Sequence, residues 1–399
     1  MSMKEKEFVY FPSLSSGNSK DWLTKNLPLS DGTTSRFYCD TYPEDFRHKY
    51  FLVSAGHNLS KDTLRVDMGL EDSFVIGDSG GYQIMTGALK WKPEIKQRIL
   101  TWLENNSDIA MNLDIPPRGK LWSYNESLDI SIENFKYFAD NRIGKTKLLN
   151  VLHGPSIAQY NHWYEKVKDF PFNGWSIGIG RNIYNMLYAI SLLIEKGEFD
   201  KVQNEYLHLL GVASTSDFFI IGTLQRAFNK RFDNRVTLTT DSSSPNRATI
   251  FGTVYFDINY KDLKMMSNYF PTKKPECYHP GQEPFCVLNC PACKNATYDM
   301  YNTGDGGRWT EMGYISSTNH NMAITTQSHK VITKLLRADP MMIKEVVNTD
   351  YFQLYSVLEE IVLSPTPIAT FHKYTHIINK VCNNPTNITT LEPDTFFNF

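Results

Sequence analysis

Short apolar runs recur along the first two thirds of the chain, each ending in a polar or glycine-rich turn. They span residues 51–56, 73–76, 109–113, 147–152, 175–177, 207–210 and 236–240. Runs of this length and near-continuous apolar character predict strands of a parallel sheet covered on both faces. Helical spacing fills the gaps between them. Residues 93–105 carry Ile95, Ile99, Leu100, Trp102 and Leu103 behind Pro93, which suits a first helical turn. Residues 126–140, 156–169 and 183–195 read the same way. Strand–helix alternation repeated about seven times predicts an α/β fold, a closed (β/α)8 TIM barrel, with an open doubly wound sheet as the alternative.

The texture changes after residue 270. Pro, Cys, Gly and Asn dominate to residue 307, and helical spacing returns over 328–348, 351–363 and 371–382. Three regions are therefore expected. Residues 1–270 form the barrel, 271–327 a small loop-rich subdomain, and 328–399 trailing helices that pack back on the barrel.

Composition narrows the partners. With 41 basic and 43 acidic residues among 399, the net charge of −2 gives no global pull on nucleic acid, so any such binding needs a local basic patch. No basic-plus-apolar leader pattern is seen and no apolar run approaches membrane-spanning length, so a cytoplasmic protein with no membrane partner is expected. Abundant aromatics (22 Tyr, 24 Phe, 7 Trp) fit a folded globular enzyme. Of six cysteines, Cys277, Cys286, Cys290 and Cys293 crowd together, which in a reducing compartment argues for metal over disulfides.

The chemistry starts at Gly77-Asp78-Ser79-Gly80-Gly81-Tyr82-Gln83, directly after a strand. An acid at the C-terminal end of a strand is where α/β folds put catalytic groups, and two glycines would let a flat ligand approach closely. Alone, Asp78 could be an Asx-turn residue or a cap. But Asp114 and Asp241 also follow strands, so a barrel would point all three acids into one mouth. Carboxylates around a glycosidic carbon can divide the labour between nucleophile and acid/base.

Thr239-Thr240-Asp241-Ser242-Ser243-Ser244-Pro245-Asn246-Arg247-Ala248 resembles the nucleophile segment of the tRNA-guanine transglycosylase family. Asp78-Ser79-Gly80-Gly81-Tyr82-Gln83 looks like that family's Asp-Ser-Gly-Gly-Phe-Gln motif. Met111-Asn112-Leu113-Asp114, Leu210-Gly211-Val212 and Trp175-Ser176-Ile177-Gly178-Ile179-Gly180 resemble further family segments, in the right order between residues 50 and 322. The resemblance implies that Asp241 is the nucleophile of a covalent glycosyl-enzyme and Asp78 the general acid/base. It implies that Ser79 helps hold the heterocycle, that Asp114 accepts its amine and ring N–H, that Gly178 and Ile179 offer backbone groups, and that Tyr82 stacks on it or packs the barrel. It also implies structural zinc. Cys286-x3-Cys290-x2-Cys293 and then His320 supply three thiolates and an imidazole, a closed tetrahedral set. The first spacing is longer than the family's, which leaves Cys277 or His279 as substitutes for Cys286. His329 reads as an ordinary helix-surface residue.

Departures from the family point to the substrate. The base-reading Val-Gln-Gly turn is here Leu152-His153-Gly154, with His153 expected to take over as donor. Arg181-Asn182 stands where bacterial members carry an acid tied to an aminomethyl side chain, which favours a neutral substituent. The chain looks most like the phage and bacterial branch that inserts 7-deazaguanines into DNA. That implies a DNA-guanine transglycosylase, exchanging guanine for free 7-cyano-7-deazaguanine and protecting phage DNA from restriction. Action on a tRNA loop is the alternative, and a non-catalytic nucleic-acid-binding subunit the next. A homodimer is compatible with the resemblance. Arg226, Lys230, Arg231, Arg235 and Arg247 flank Asp241 and read as a phosphate track, the first four also as a solvated helix face; Lys330, Lys334 and Arg337 would extend it.

Overall fold

The computed structural model describes residues 5–14, 23–117, 121–178, 182–269, 290–297, 300 and 309–382. Eight strands form one all-parallel sheet: β1 (Val9–Pro12), β2 (Tyr50–Ser54), β3 (Phe74–Asp78), β4 (Ile109–Met111), β5 (Lys147–His153), β6 (Gly174–Gly178), β7 (Tyr206–Leu210) and β8 (Thr237–Ser242). Each of β2 to β7 pairs with the next, and β1 pairs with β8. The two ends meet where Ser13 bridges Leu52 and the Leu14 N–H donates to the Leu52 carbonyl at 3.0 Å. This is the expected (β/α)8 barrel. The first strand is the one the pattern does not announce. It has four residues, ends in Pro12, and follows a charged stretch.

The strands are buried nearly throughout, because barrel strands face side-chain layers inside and helices outside. Their helices start where the local chemistry supports a start. Ser123 and Glu126 form a capping box for Tyr124–Asn141, and Ser214 and Asp217 form one for Thr215–Arg231. Asn182 caps Ile183–Glu195.

After β8 the chain makes an antiparallel hairpin, β9 (Thr253–Asn259) and β10 (Lys264–Tyr269). A long helix then runs from Glu311 to Leu336, through the expected boundary at 327/328. Its first half is rich in Ser, Thr and Asn, which weaken helical propensity. Burial of Ser316, Ser317, Asn319 and Asn321 against the barrel overrides that preference. The helix expected over 328–348 is interrupted at Asp339, which caps Pro340–Val346. Helices Thr349–Leu363 and Glu311–Leu336 pack on Thr215–Arg231, and Pro367–Lys373 packs on Ile183–Glu195.

These contacts correct the phosphate track. One Arg226 Nη1–H group donates to the carbonyls of Leu336 (2.7 Å) and Ala338 (3.3 Å), and Arg231 donates to those of Val362 (2.5 Å) and Ser364 (2.6 Å). Both guanidiniums satisfy the orphan carbonyls at helix C-termini. Lys230 pairs with Glu359 at 2.6 Å. Arg235 donates to the carbonyls of Lys201 (2.9 Å) and Phe199, ahead of β8 and so at the opposite end of the barrel from Asp241. The Lys330 ammonium donates to the Asp45 carbonyl, and Arg337 pairs with Glu7. His329 is also corrected. It is partly buried, edge-on to Phe8, its Nε2 lies 3.1 Å from the Phe8 carbonyl, and desolvation pushes its pKa down to about 4. Among the described residues, no helix is long and apolar enough to cross a membrane.

Candidate functional site

The C-terminal ends of β3, β4 and β8 bring the acids to one mouth. Asp78 is the last residue of β3. Its Oδ2 accepts from the Ser54 hydroxyl at 2.5 Å and its Oδ1 from the Gly80 N–H at 3.3 Å. Burial raises its pKa to about 6; the charges of Asp114 and Asp241 push the same way, while the Ser54 and Gly80 bonds oppose them. The same two charges acting on Asp78 reflect how the three carboxyls share this end of the barrel.

The glycines after Asp78 have a different use from the one expected. Gly80 sits at φ +87°, and a Cβ there would lie 2.5 Å from the Gly56 Cα. A Cβ on Gly81 would lie 1.9 Å from the Asp114 carbonyl oxygen. The bare backbone is covered by protein from the turns after β2 and β4, not left open to a ligand. The pair packs the Asp78 and Asp114 turns together. Ser79 belongs to the same packing: it is fully buried, and its hydroxyl donates to the Asn112 carbonyl at 3.2 Å. Tyr82, in the short helix Gly81–Met85, is 44% exposed, which removes the barrel-packing alternative.

Asp114 is buried, with its Oδ2 2.6 Å from the His153 Nε2. His153 ends β5 and packs against Gly178, where a Cβ would come within 2.1 Å of the ring. Trp163 meets the ring edge-on at 5.3 Å between centroids. The Gly178 carbonyl accepts from the Tyr160 hydroxyl at 2.9 Å, so that group is already engaged. Ile179 lies outside the described residues.

Asp241 is on β8, with its side chain 12% exposed. Its Oδ1 accepts from the Gly211 N–H at 2.7 Å, and the His208 Nε2 lies 3.3 Å away. Among the described residues no donor reaches Oδ2. Arg247, in the helix Ser244–Ile250 that follows, is partly buried and has no side-chain acceptor among the described residues. It alone of the expected basic track remains at the mouth.

Sequence reasoning singled out neither Ser54 nor His208. Ser54 ends β2 at the same strand-end position as the acids, and His208 is the lone polar residue inside an apolar run. Both signals were present in the pattern.

Cys290, Cys293 and His320 form a buried group able to hold a metal ion. Their sulfurs lie 3.5 and 3.2 Å from the His320 Nδ1. With bonds of about 2.3 Å to sulfur and about 2.0 Å to nitrogen, a tetrahedral ion separates S from N by about 3.5 Å, so the donor set fits. The other ring nitrogen, Nε2, lies 2.6 Å from the Tyr255 carbonyl, which fixes the tautomer that frees Nδ1 for a metal. Cys286, Cys277 and His279 lie outside the described residues. The neighbouring Asn321 donates to Thr249 Oγ1 (3.1 Å) and the Thr253 carbonyl (3.0 Å), and its Oδ1 accepts from the Tyr255 N–H (2.8 Å). The cluster thereby braces the helix that carries Arg247.

No family model and no curated protein matches the chain.

Proposed function

We propose that the barrel mouth is a base-exchange site, and that the protein replaces guanine in DNA with 7-cyano-7-deazaguanine through a covalent Asp241 intermediate. The observation that carries this is Asp241 itself. One carboxylate oxygen is tied to Gly211 and the other has no donor among the described residues, at the same mouth as a second acid, Asp78, whose pKa of about 6 suits proton transfer near neutrality.

In the first half-reaction the Asp241 Oδ2 attacks C1′ of the nucleotide. The C1′–N9 bond breaks, its electron pair leaves with guanine, and protonated Asp78 supplies the proton that neutralises it. In the second half the incoming base attacks C1′ through N9 and gives its N9 proton to the Asp78 carboxylate. The C1′–O bond then breaks and restores Asp241. The target base must first leave the duplex stack. Asp114 has one oxygen engaged by His153, which leaves Oδ1 for the amine and ring N–H of the base. Tyr82 supplies an exposed ring for stacking. Arg247 is the phosphate contact.

The metal is read as structural zinc held by Cys290, Cys293, His320 and Cys286. Bound there, it would supply rigidity and no reactive position. DNA is preferred over tRNA because the chain has diverged from the tRNA enzymes at the base-reading turn, where His153 stands, and after the glycine-rich loop, where Arg181-Asn182 stands. The test incubates the purified protein with labelled guanine or 7-cyano-7-deazaguanine and either DNA or bulk tRNA. Uptake into DNA is expected. Uptake into tRNA alone would sink the DNA reading, and uptake into neither would leave the non-catalytic subunit in its place.

A further inference from the structure

We propose that His208 is a positioning residue for Asp241, holding its Oδ1 so that Oδ2 is the attacking oxygen. The proposal rests on the base-exchange reading and adds a residue to it.

The strand register sets the arrangement. Ser176 on β6, His208 on β7 and Thr239 on β8 are directly paired, and Asp241 lies two residues further along β8 on the same face. His208 is completely buried within this layer. Its Nδ1 lies 2.8 Å from the Thr239 Oγ1, and its Nε2 lies 3.3 Å from the Asp241 Oδ1. That contact is not aligned as a hydrogen bond, and the buried Nε2 has no other partner among the described residues. Ser176 presents a buried hydroxyl that is also unpartnered among the described residues.

A neutral imidazole carries its proton on one nitrogen and accepts on the other. The Thr239 hydroxyl can donate or accept, whereas a carboxylate only accepts. The proton therefore sits on Nε2, facing Asp241, with Thr239 donating to Nδ1. An Nε2 lone pair turned toward the carboxylate would leave two acceptors facing each other in a dry interior. Catalytic contacts are often long in the free protein and tighten when the substrate binds. Tightening gives Oδ1 two donors, the Gly211 N–H and the His208 Nε2–H. Both restrain the carboxylate, and both stabilise the charge it regains when the second base displaces it.

Two measurements test this on the full chain. The first is 15N NMR of histidine-labelled protein, expected to show His208 protonated on Nε2. Protonation on Nδ1 alone would overturn the proposal whether or not exchange occurs. The second is single-turnover formation of the covalent adduct on a guanine-containing oligonucleotide. His208→Leu should slow it by about 10–100-fold, as loss of a partner that orients a reacting group does, with oligonucleotide affinity unchanged. His208→Gln, which can donate from a similar position, should recover most of the rate. Equal rates for wild type and His208→Leu would overturn the proposal. So would equal losses in both variants with lowered melting temperatures, since that is a packing role. A wild-type protein inert on DNA and tRNA would instead bring down the base-exchange reading.

Discussion

Two regions of the molecule carry charge in opposite ways. Along the seam where the C-terminal helices dock on Thr215–Arg231, the cations are met by protein. Arg226 and Arg231 finish helix C-termini, and Lys230 meets Glu359. At the mouth, charge is left incomplete. Asp241 keeps an oxygen with no donor and Arg247 has no acceptor among the described residues, while Asp78 is a carboxyl whose burial costs stability. Charge satisfied by the chain serves the fold, and charge left unsatisfied at a concave end marks where a ligand completes it.

The sharpest break of that contrast is at Asp241. Asp241→Ala should abolish the covalent adduct and cut exchange by at least about 10³-fold, as removal of a nucleophile does, with the melting temperature held. Mass spectrometry of the trapped protein reads the adduct, and an adduct in the variant would refute the assignment. The metal cluster comes next, since it belongs to the fold yet braces the mouth. Cys290→Ser should lose bound metal by elemental analysis and lower unfolding stability by about 3 kcal/mol or more. Unchanged metal content would assign the ligands elsewhere.

Arg231 and Arg247 then form a matched pair. Arg231→Ala leaves two carbonyls without their donor, so it should cost about 1–3 kcal/mol in urea unfolding and leave nucleic-acid binding alone. Arg247→Ala should do the reverse, leaving stability within about 0.5 kcal/mol and reducing the salt slope of binding by about one. If both variants weaken binding equally, the seam is part of the nucleic-acid track after all.

Much of the barrel was legible because parallel strands buried on both faces must be apolar, and each such run ends at a polar residue where the strand leaves the core. That logic found β2 to β8 and the three acids. It did not reach β1, which follows a charged stretch and closes on Pro12, or the first half of Glu311–Leu336, where tertiary burial overrides a Ser/Thr/Asn-rich propensity. The basic cluster was misread because sequence does not say whether a cation meets a phosphate or a carbonyl. The carbonyl that Arg226 caps lies 110 residues away. The glycine pair was misread for the same reason, since Gly56 and Asp114, which cover it, come from other turns. Long-range partners decide what a locally recognisable residue is for.

The smallest expected effect tests whether the mouth really opposes the fold. Asp78 has its pKa raised from 3.8 to about 6 in the folded chain, chiefly by burial. Between those values the folded chain holds a proton that the unfolded chain has lost. Stability therefore falls as pH rises from about 4 to about 6, and the full loss persists above. Allowing for water at the mouth, it comes to about 1–2 kcal/mol. Asp78→Asn removes the ionisation and keeps an oxygen that can accept from Ser54. The variant should gain on the wild type between pH 4 and 6, and be the more stable protein at pH 7.5. Urea unfolding at pH 4 and 7.5 reads the difference. Parallel stabilities at the two pH values would mean that Asp78 ionises as easily folded as unfolded, and the contrast with the seam would fail at its central acid. A gain at high pH, beside the loss in Arg231→Ala, would show one region built for stability and the other built against it.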